Sequence, residues 1–258
     1  MFRKILLAIA ACLGAGALAL PAFAEDAAEL AREYALEALP GHQAQMEAAL
    51  KAHADWRKKN GDPFAWSIYQ VIVGEAQSIY IVRSSGHKWA DFDTYGDSDF
   101  AAKASAHYRE TVAPHTTGRA VASIWRNEGK VQRWPQDGGS FKYFLVLEYV
   151  IKPGHTQRFT DAAAKFSDVA NENDWPGSYA MEWLEAGGEG PKAALVIPSA
   201  NWAGFADPEP SLYSLLVKKH GEAEAARIRD AFTSAIAGQK SFIVVHRPEF
   251  SVPAATVP

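Results

Sequence analysis

The sequence predicts an α+β protein in which two β-α-β-β-α-β units press their sheets together as a barrel. Three observations lead there. The segment "LPGHQAQM", Leu39 to Met46, returns as "KPGHTQRF", Lys152 to Phe159, 113 positions later. Aromatic and β-branched runs alternate with helix-spaced apolar residues in one fixed order. After residue 24 the chain has no cysteine, so a long exported chain must be held by its own core.

The first 24 residues read as a secretory signal peptide. Arg3 and Lys4 form a basic head, Ile5 to Leu20 is uncharged and apolar, and Ala22-Phe23-Ala24 offers an A-x-A cleavage site. The apolar run of 16 residues is short for a membrane span, which needs about 20. "IAAC", ending at Cys12, competes as a lipoprotein box but leaves the A-x-A site unexplained. The expectation is a periplasmic or secreted protein with no membrane association after cleavage. Removing Arg3 and Lys4 leaves 24 basic and 30 acidic residues, a net charge of −6 with no basic stripe. Nucleic acid is therefore not an expected partner.

Sliding 40–92 along by 113 places it on 153–205 without a gap, and 11 of the 53 positions match. The matches are mostly turn formers. Pro40-Gly41-His42 meets Pro153-Gly154-His155, Asn60 meets Asn173, Pro63 meets Pro176 and Gly74 meets Gly187. Backbone geometry is what repeats. The domain reading is a signal peptide at 1–24, a first repeat at 25–126, a polar linker at 127–140 and a second repeat at 141–258.

In the second repeat, 141–152 reads as a strand that Pro153-Gly154 stops. The next 20 residues carry Phe159, Ala162, Ala163, Phe166 and Val169 at helical spacing. "SYAMEWLEA" and "KAALVIPS" read as two strands around Gly187-Gly188. "LYSLLVKKHGEAEAARIRDAFTSAIAG" is helical, and "SFIVVHRPEF" closes the unit. This is the ferredoxin-like order. The first repeat follows it, with a strand at "REYALEAL" against its helical propensity, a helix at 43–59, strands at 64–73 and 79–83, a helix near 100–112 and a strand at 120–126. Each sheet has one helix-covered face, and pressing the two open faces together gives a barrel.

"EYVIKPGHTQRF" and "EALPGHQAQM", with the element order around them, resemble the dimeric α+β barrel group. That group includes antibiotic-biosynthesis monooxygenases, muconolactone isomerases, NIPSNAP-type proteins and haem-binding chlorite dismutase relatives. The resemblance covers most of 30–250 and implies the fold, with both halves in one chain. It implies no single reaction, because the group contains cofactor-free oxygenases, isomerases, haem enzymes and binders.

Strand alternation sets Tyr149 and Ile151 under helices and turns Val146, Glu148 and Val150 into the barrel, with Ala35 and Glu37 inward in the first repeat. A buried Glu148 would have a raised pKa and suit a general base, or would simply pair with Arg126 or Arg247. One of Trp125 and Arg126, and one of His246 and Arg247, should face inward. His246 is the candidate proton carrier or axial ligand. Tyr69 and Trp183 could line a pocket for a flat ligand, and His87 sits near the barrel mouth without a mate in the second repeat. Trp89 and Trp202 recur as wedges, and His42 and His155 as caps.

No H-x-H, H-x-x-x-H or H-E-x-x-H spacing signals a metal. No G-x-S-x-G elbow or phosphate loop is present. The leading expectation is an exported binder of a small apolar or aromatic ligand between the two halves, as a monomer or weak homo-oligomer, without a cofactor. The alternatives are a cofactor-independent monooxygenase or isomerase, or a haem protein, in the same barrel, using Glu148 with His246 or an arginine. A further alternative is a non-catalytic stress or assembly factor with a filled barrel.

Overall fold

A computed structural model describes residues 30–135 and 140–253. The signal-peptide segment lies outside them. Eight strands close into an antiparallel barrel in the order β1-β3-β2-β8-β5-β7-β6-β4. The N-terminal half supplies β1 (Leu30–Glu37), α1 (Gln43–Lys59), β2 (Ser67–Val73), β3 (Ile79–His87), α2 (Trp89–Gly96), α3 (Asp99–Thr111) and β4 (Val121–Arg133). The C-terminal half supplies β5 (Tyr143–Ile151), α4 (Thr156–Glu172), β6 (Tyr179–Ala186), β7 (Lys192–Ser199), α5 (Leu212–His220), α6 (Glu222–Ser234) and β8 (Ile236–His246). The fold is α+β, as the sequence predicts.

The two four-stranded sheets do not stack as separate layers. They join edge to edge through β2 with β8 and β4 with β6, which closes the barrel so that each described strand is paired on both sides. β4 runs on to Arg133, which puts the first half of the polar segment 127–140 into the sheet, where Gln132 and Arg133 pair with Ala180 and Tyr179. β3 likewise continues through Ser84–Ser85 to His87.

β1 forms despite its Ala, Leu and Glu content, because tertiary pairing on both sides overrides local propensity. The Pro-Gly-His turns have nearly equal geometry. Gly41 and Gly154 take φ of 79° and 80°, which only glycine adopts without strain, and each precedes a 17-residue helix. Asn60 and Asn173 end those helices with matched side-chain bonds to the Trp56 and Val169 carbonyls. His42 and His155 cap nothing through their rings.

The helices cover the outside. In the C-terminal half, Tyr149, Ile151, Phe159, Met181 and Trp183 pack between sheet and α4, and Phe232 stacks on Phe159 at 4.6 Å. In the N-terminal half the same layer holds Leu36, Met46, Leu50, Ile68 and Tyr80. Trp89 and Trp202 are about half exposed and are not wedges in the core.

Candidate functional site

The barrel interior is the first place to look, and it holds a set of paired charges. Alternation sends Ala31, Glu33, Ala35 and Glu37 inward from β1, and Arg83 inward from β3 opposite Glu33. Arg83 donates to Glu33 at 3.2 Å and to Glu182 of the other half, so one guanidinium ties two carboxylates across the barrel. Burial pushes the Glu33 carboxyl up, against the pull of Arg83. Above this triad Trp125 packs with Ala31, Ala194, Val146 and Leu184.

Glu148 does face the barrel, but its partners are neither Arg126 nor Arg247. Lys240 and Lys192 lie 3.2 and 3.5 Å from its Oε2, within ion-pair range but outside hydrogen-bond geometry. The two lysines come from the strands flanking β5, at the register positions facing Glu148 and Val150. His246 is six residues along β8 from Lys240, about 20 Å away at strand rise. It sits beside Tyr69 (5.3 Å), which also meets Phe144 at 5.2 Å, and its Nε2 lies 3.3 Å from Ser251 Oγ. Arg247 turns outward to Glu47 and Glu249, and Arg126 outward to Glu185 at 2.6 Å. The expected grouping of Glu148 with His246 or Arg247 therefore does not form. Glu37 takes a long bond from Thr117, 3.4 Å, at the barrel end. Trp183 lies under α4, 5.8 Å from Phe159, and not in the barrel. His87 is buried and stacked on Phe64 at 4.0 Å, with Ser84 Oγ 2.6 Å from its Nε2.

A cavity of about 510 Å³ lies in the N-terminal half, between the outer face of β1, β2 and β3 and helices α1, α2 and α3. Tyr34, Leu36, Trp66, Ile68 and Val82 form its sheet side. Ala101, Ala102, Ala104 and Ser105 of α3 form the facing wall, and their small side chains leave the room. Phe250 and Val252 close one end. The same layer of the C-terminal half is filled by Phe159, Phe166 and Phe232.

One wall is polar. His53 and Arg57 project from α1 four residues apart, hence on one face. Arg57 Nε can only donate, so His53 Nε2 accepts its bond at 2.9 Å. His53 Nδ1 then carries the proton and donates to His107 Nδ1, also at 2.9 Å. Burial, with Arg57 and His107 adding, pushes the His53 pKa down to about 3, so the ring is neutral at pH 7. Arg57 also pairs with buried Asp62, donates to Tyr95 Oη at 3.1 Å and lies 4.9 Å from the Trp66 ring centre. Asp62 is further held by the Phe64 N–H (2.9 Å) and Trp66 Nε1–H (3.1 Å). The chain Asp62–Arg57–His53–His107 thus has one donor direction, from Arg57 to His53 and from His53 to His107.

The sequence reading missed this wall. A signal was present: at the 113-residue offset His53 and Arg57 stand where the second repeat has Phe166 and Ala170, a polar pair in place of core.

These residues do not fit a haem. Both His53 ring nitrogens are engaged, and His246, the candidate axial ligand, lies outside the cavity wall. No group of three or more potential ligands occurs among the described residues.

No family model matches the chain, and no curated protein matches it. Solved structures do. An anthrone oxidase-like protein is 12% identical with a TM-score of 0.54, over 90% of this chain and 95% of that one. A monooxygenase-like protein from Lactobacillus acidophilus is 10% identical with a TM-score of 0.54, over 89% and 98%. A chlorite dismutase variant from Candidatus Nitrospira defluvii, in complex with cyanide, is 10% identical with a TM-score of 0.52, over 87% and 93%. At such identities the likeness establishes architecture alone: the chain has the α+β barrel fold of the dimeric α+β barrel group.

Proposed function

We propose that the protein binds a small, flat, largely apolar molecule in the outer cavity of its N-terminal half, not between the halves. The observation that carries this is the asymmetry of the helix layer. Small side chains on α3 leave about 510 Å³ on one side, where phenylalanines fill the other. The cavity lies in the size range of small-molecule sites and combines an aromatic lining with a few fixed polar groups. Residues 1–24 support export to the periplasm, the matched Pro-Gly-His turns support a tandem repeat, and closure of the barrel within one chain supports a monomer. The test is native mass spectrometry of the protein recovered from a periplasm. A small-molecule adduct is expected, and Ala101→Trp, which puts an indole into the cavity, should remove it while the thermal transition stays cooperative. An adduct that survives Ala101→Trp would place the ligand elsewhere.

A second reading is an enzyme in the same cavity. Its support is the sharing of this architecture with a monooxygenase-like protein and an anthrone oxidase-like protein. General-base catalysis by His53 is disfavoured in that reading, because Arg57 occupies its lone pair and its pKa is far below neutral.

A further inference from the structure

The cavity has a charge preference that its shape does not reveal. The chain as a whole is acidic, at −4, yet no Asp or Glu lines the cavity. Three arginines do: Arg32, Arg57 and Arg109. The charge of Arg57 is answered by Asp62 behind it. Arg32 and Arg109 differ, for neither has a carboxylate within ion-pair distance among the described residues. Arginines 83, 126, 133 and 247 each have one. Arg32 rests instead on aromatic faces, 5.1 Å from the Tyr34 ring centre and 5.9 Å from that of Phe92. That contact holds the guanidinium beside the aromatic lining while leaving its N–H edge for another acceptor. Arg109 is at the exposed last turn of α3, at the cavity mouth. His53, held neutral, neither adds to nor cancels this field.

We propose that the ligand is an aromatic organic anion, a flat ring system bearing a carboxylate or sulfonate-like group, and that Arg32, seated on Tyr34 and Phe92, receives the anionic end while Arg109 adds positive potential from the last turn of α3. Planar guanidinium groups bind such oxyanions through paired N–H donors, and a partly desolvated site strengthens the attraction. The inference rests on the cavity reading above and adds the ligand's charge to it.

The experiment uses two fluorescent probes on one skeleton, 1-anilinonaphthalene-8-sulfonate and neutral N-phenyl-1-naphthylamine, titrated into the mature protein at low and high salt. The sulfonate should bind at least about tenfold more tightly, and the advantage should shrink as salt rises. Arg32→Met and Arg109→Met should each reduce the preference, and the double variant should abolish it while the neutral probe still binds. Arg32→Lys should restore part of it. Arg158→Met, on the exposed face of α4, should change nothing. Equal affinity for both probes, or a sulfonate preference untouched by the Arg32 and Arg109 variants, overturns the anion assignment and leaves the cavity standing. Failure of both probes to bind removes the cavity reading and this inference with it.

Discussion

Arg83→Met should be among the most damaging single changes in this chain, although Arg83 lines no cavity. Its side chain is 18% exposed, and those of Glu33 and Glu182 are 19% and 14% exposed. Methionine keeps the stem's volume but leaves two carboxylates inside the barrel without their shared cation. Breaking a buried ion pair from one side costs about 3–5 kcal/mol. For a domain of this size each kcal/mol lowers Tm by about 2–4 °C, so a fall of about 10 °C is expected at pH 7.5. The pH dependence gives a second, sharper reading. Burial already raises the folded-state pKa of Glu33 above its ordinary value, and losing Arg83 raises it further. A carboxyl raised in the folded state favours folding below its unfolded pKa, and that contribution is lost as pH rises through the folded value. The deficit of Arg83→Met should therefore shrink as pH falls from 7.5 toward 5. Replacing all three charges, as Glu33→Gln, Arg83→Met and Glu182→Gln, should recover much of the loss. Thermal and urea unfolding followed by far-ultraviolet circular dichroism at several pH values measure all of this. A variant that melts within about 2 °C of the parent, or one whose stability runs parallel to the parent's across pH, would mean that the barrel interior is wet and the triad is not structural.

Three further outcomes follow from the same contacts. His53→Gln should flatten the loss of stability on acidification, because a histidine held near 3 when folded and near 6.5 when unfolded destabilises the protein as pH falls below 6.5; the difference in slope between pH 7 and 5 should total about 2 kcal/mol, and parallel unfolding curves would refute the neutral assignment. Asp62→Asn should cost about 3 kcal/mol by leaving Arg57 facing an amide, with a red shift of tryptophan emission as the Trp66 Nε1 bond loosens; an unchanged spectrum and Tm would show that Asp62 does not anchor the wall. Gly187→Ala should prevent cooperative folding or lower Tm steeply, since the added Cβ would lie 2.0 Å from the Ala122 carbonyl oxygen at φ +96°; near-native melting would mean that the β4–β6 seam is not closed there.

The turn residues made the architecture legible. Gly41, Gly154, Gly74 and Gly187 take positive φ where the strands end, and a backbone requirement of that kind is written directly in the residue type. Alternation also placed Tyr149, Ile151 and Glu148 on the correct faces of β5. What alternation could not supply was the content of the space each face meets. Glu33 and Glu182 belong to different halves and meet only at Arg83, a contact set by barrel closure and not by any local pattern. Arg247 shows the same limit. One step along β8 separates it from inward-facing His246, and that step takes it from the barrel to Glu47 on α1. The segment 127–133 reads as loop because Val131 is its one large apolar residue, yet that side chain is buried in the core with Phe159 of α4 while its polar neighbours pair with β6.

The cavity itself argues for an occupant, and the argument is energetic. Ala102, Ser105 and Arg109 on its rim are exposed, so the cavity opens to solvent and its apolar lining stays in contact with water. Covering that lining recovers about 25 cal/mol for each Å² of apolar surface removed from water. Water can occupy the end near His53, Arg57 and Arg109, but the aromatic sheet side offers it few partners. A ligand that covers Tyr34, Trp66 and Val82 should therefore stabilise the protein on binding. At a concentration about one hundred times its Kd the gain should be about 2.7 kcal/mol, or roughly 5–10 °C in Tm. Differential scanning fluorimetry with N-phenyl-1-naphthylamine near saturation makes the comparison. If the probe binds and Tm does not move, it sits on the folded and unfolded chains alike, and the space between β1–β3 and α3 is not a binding site.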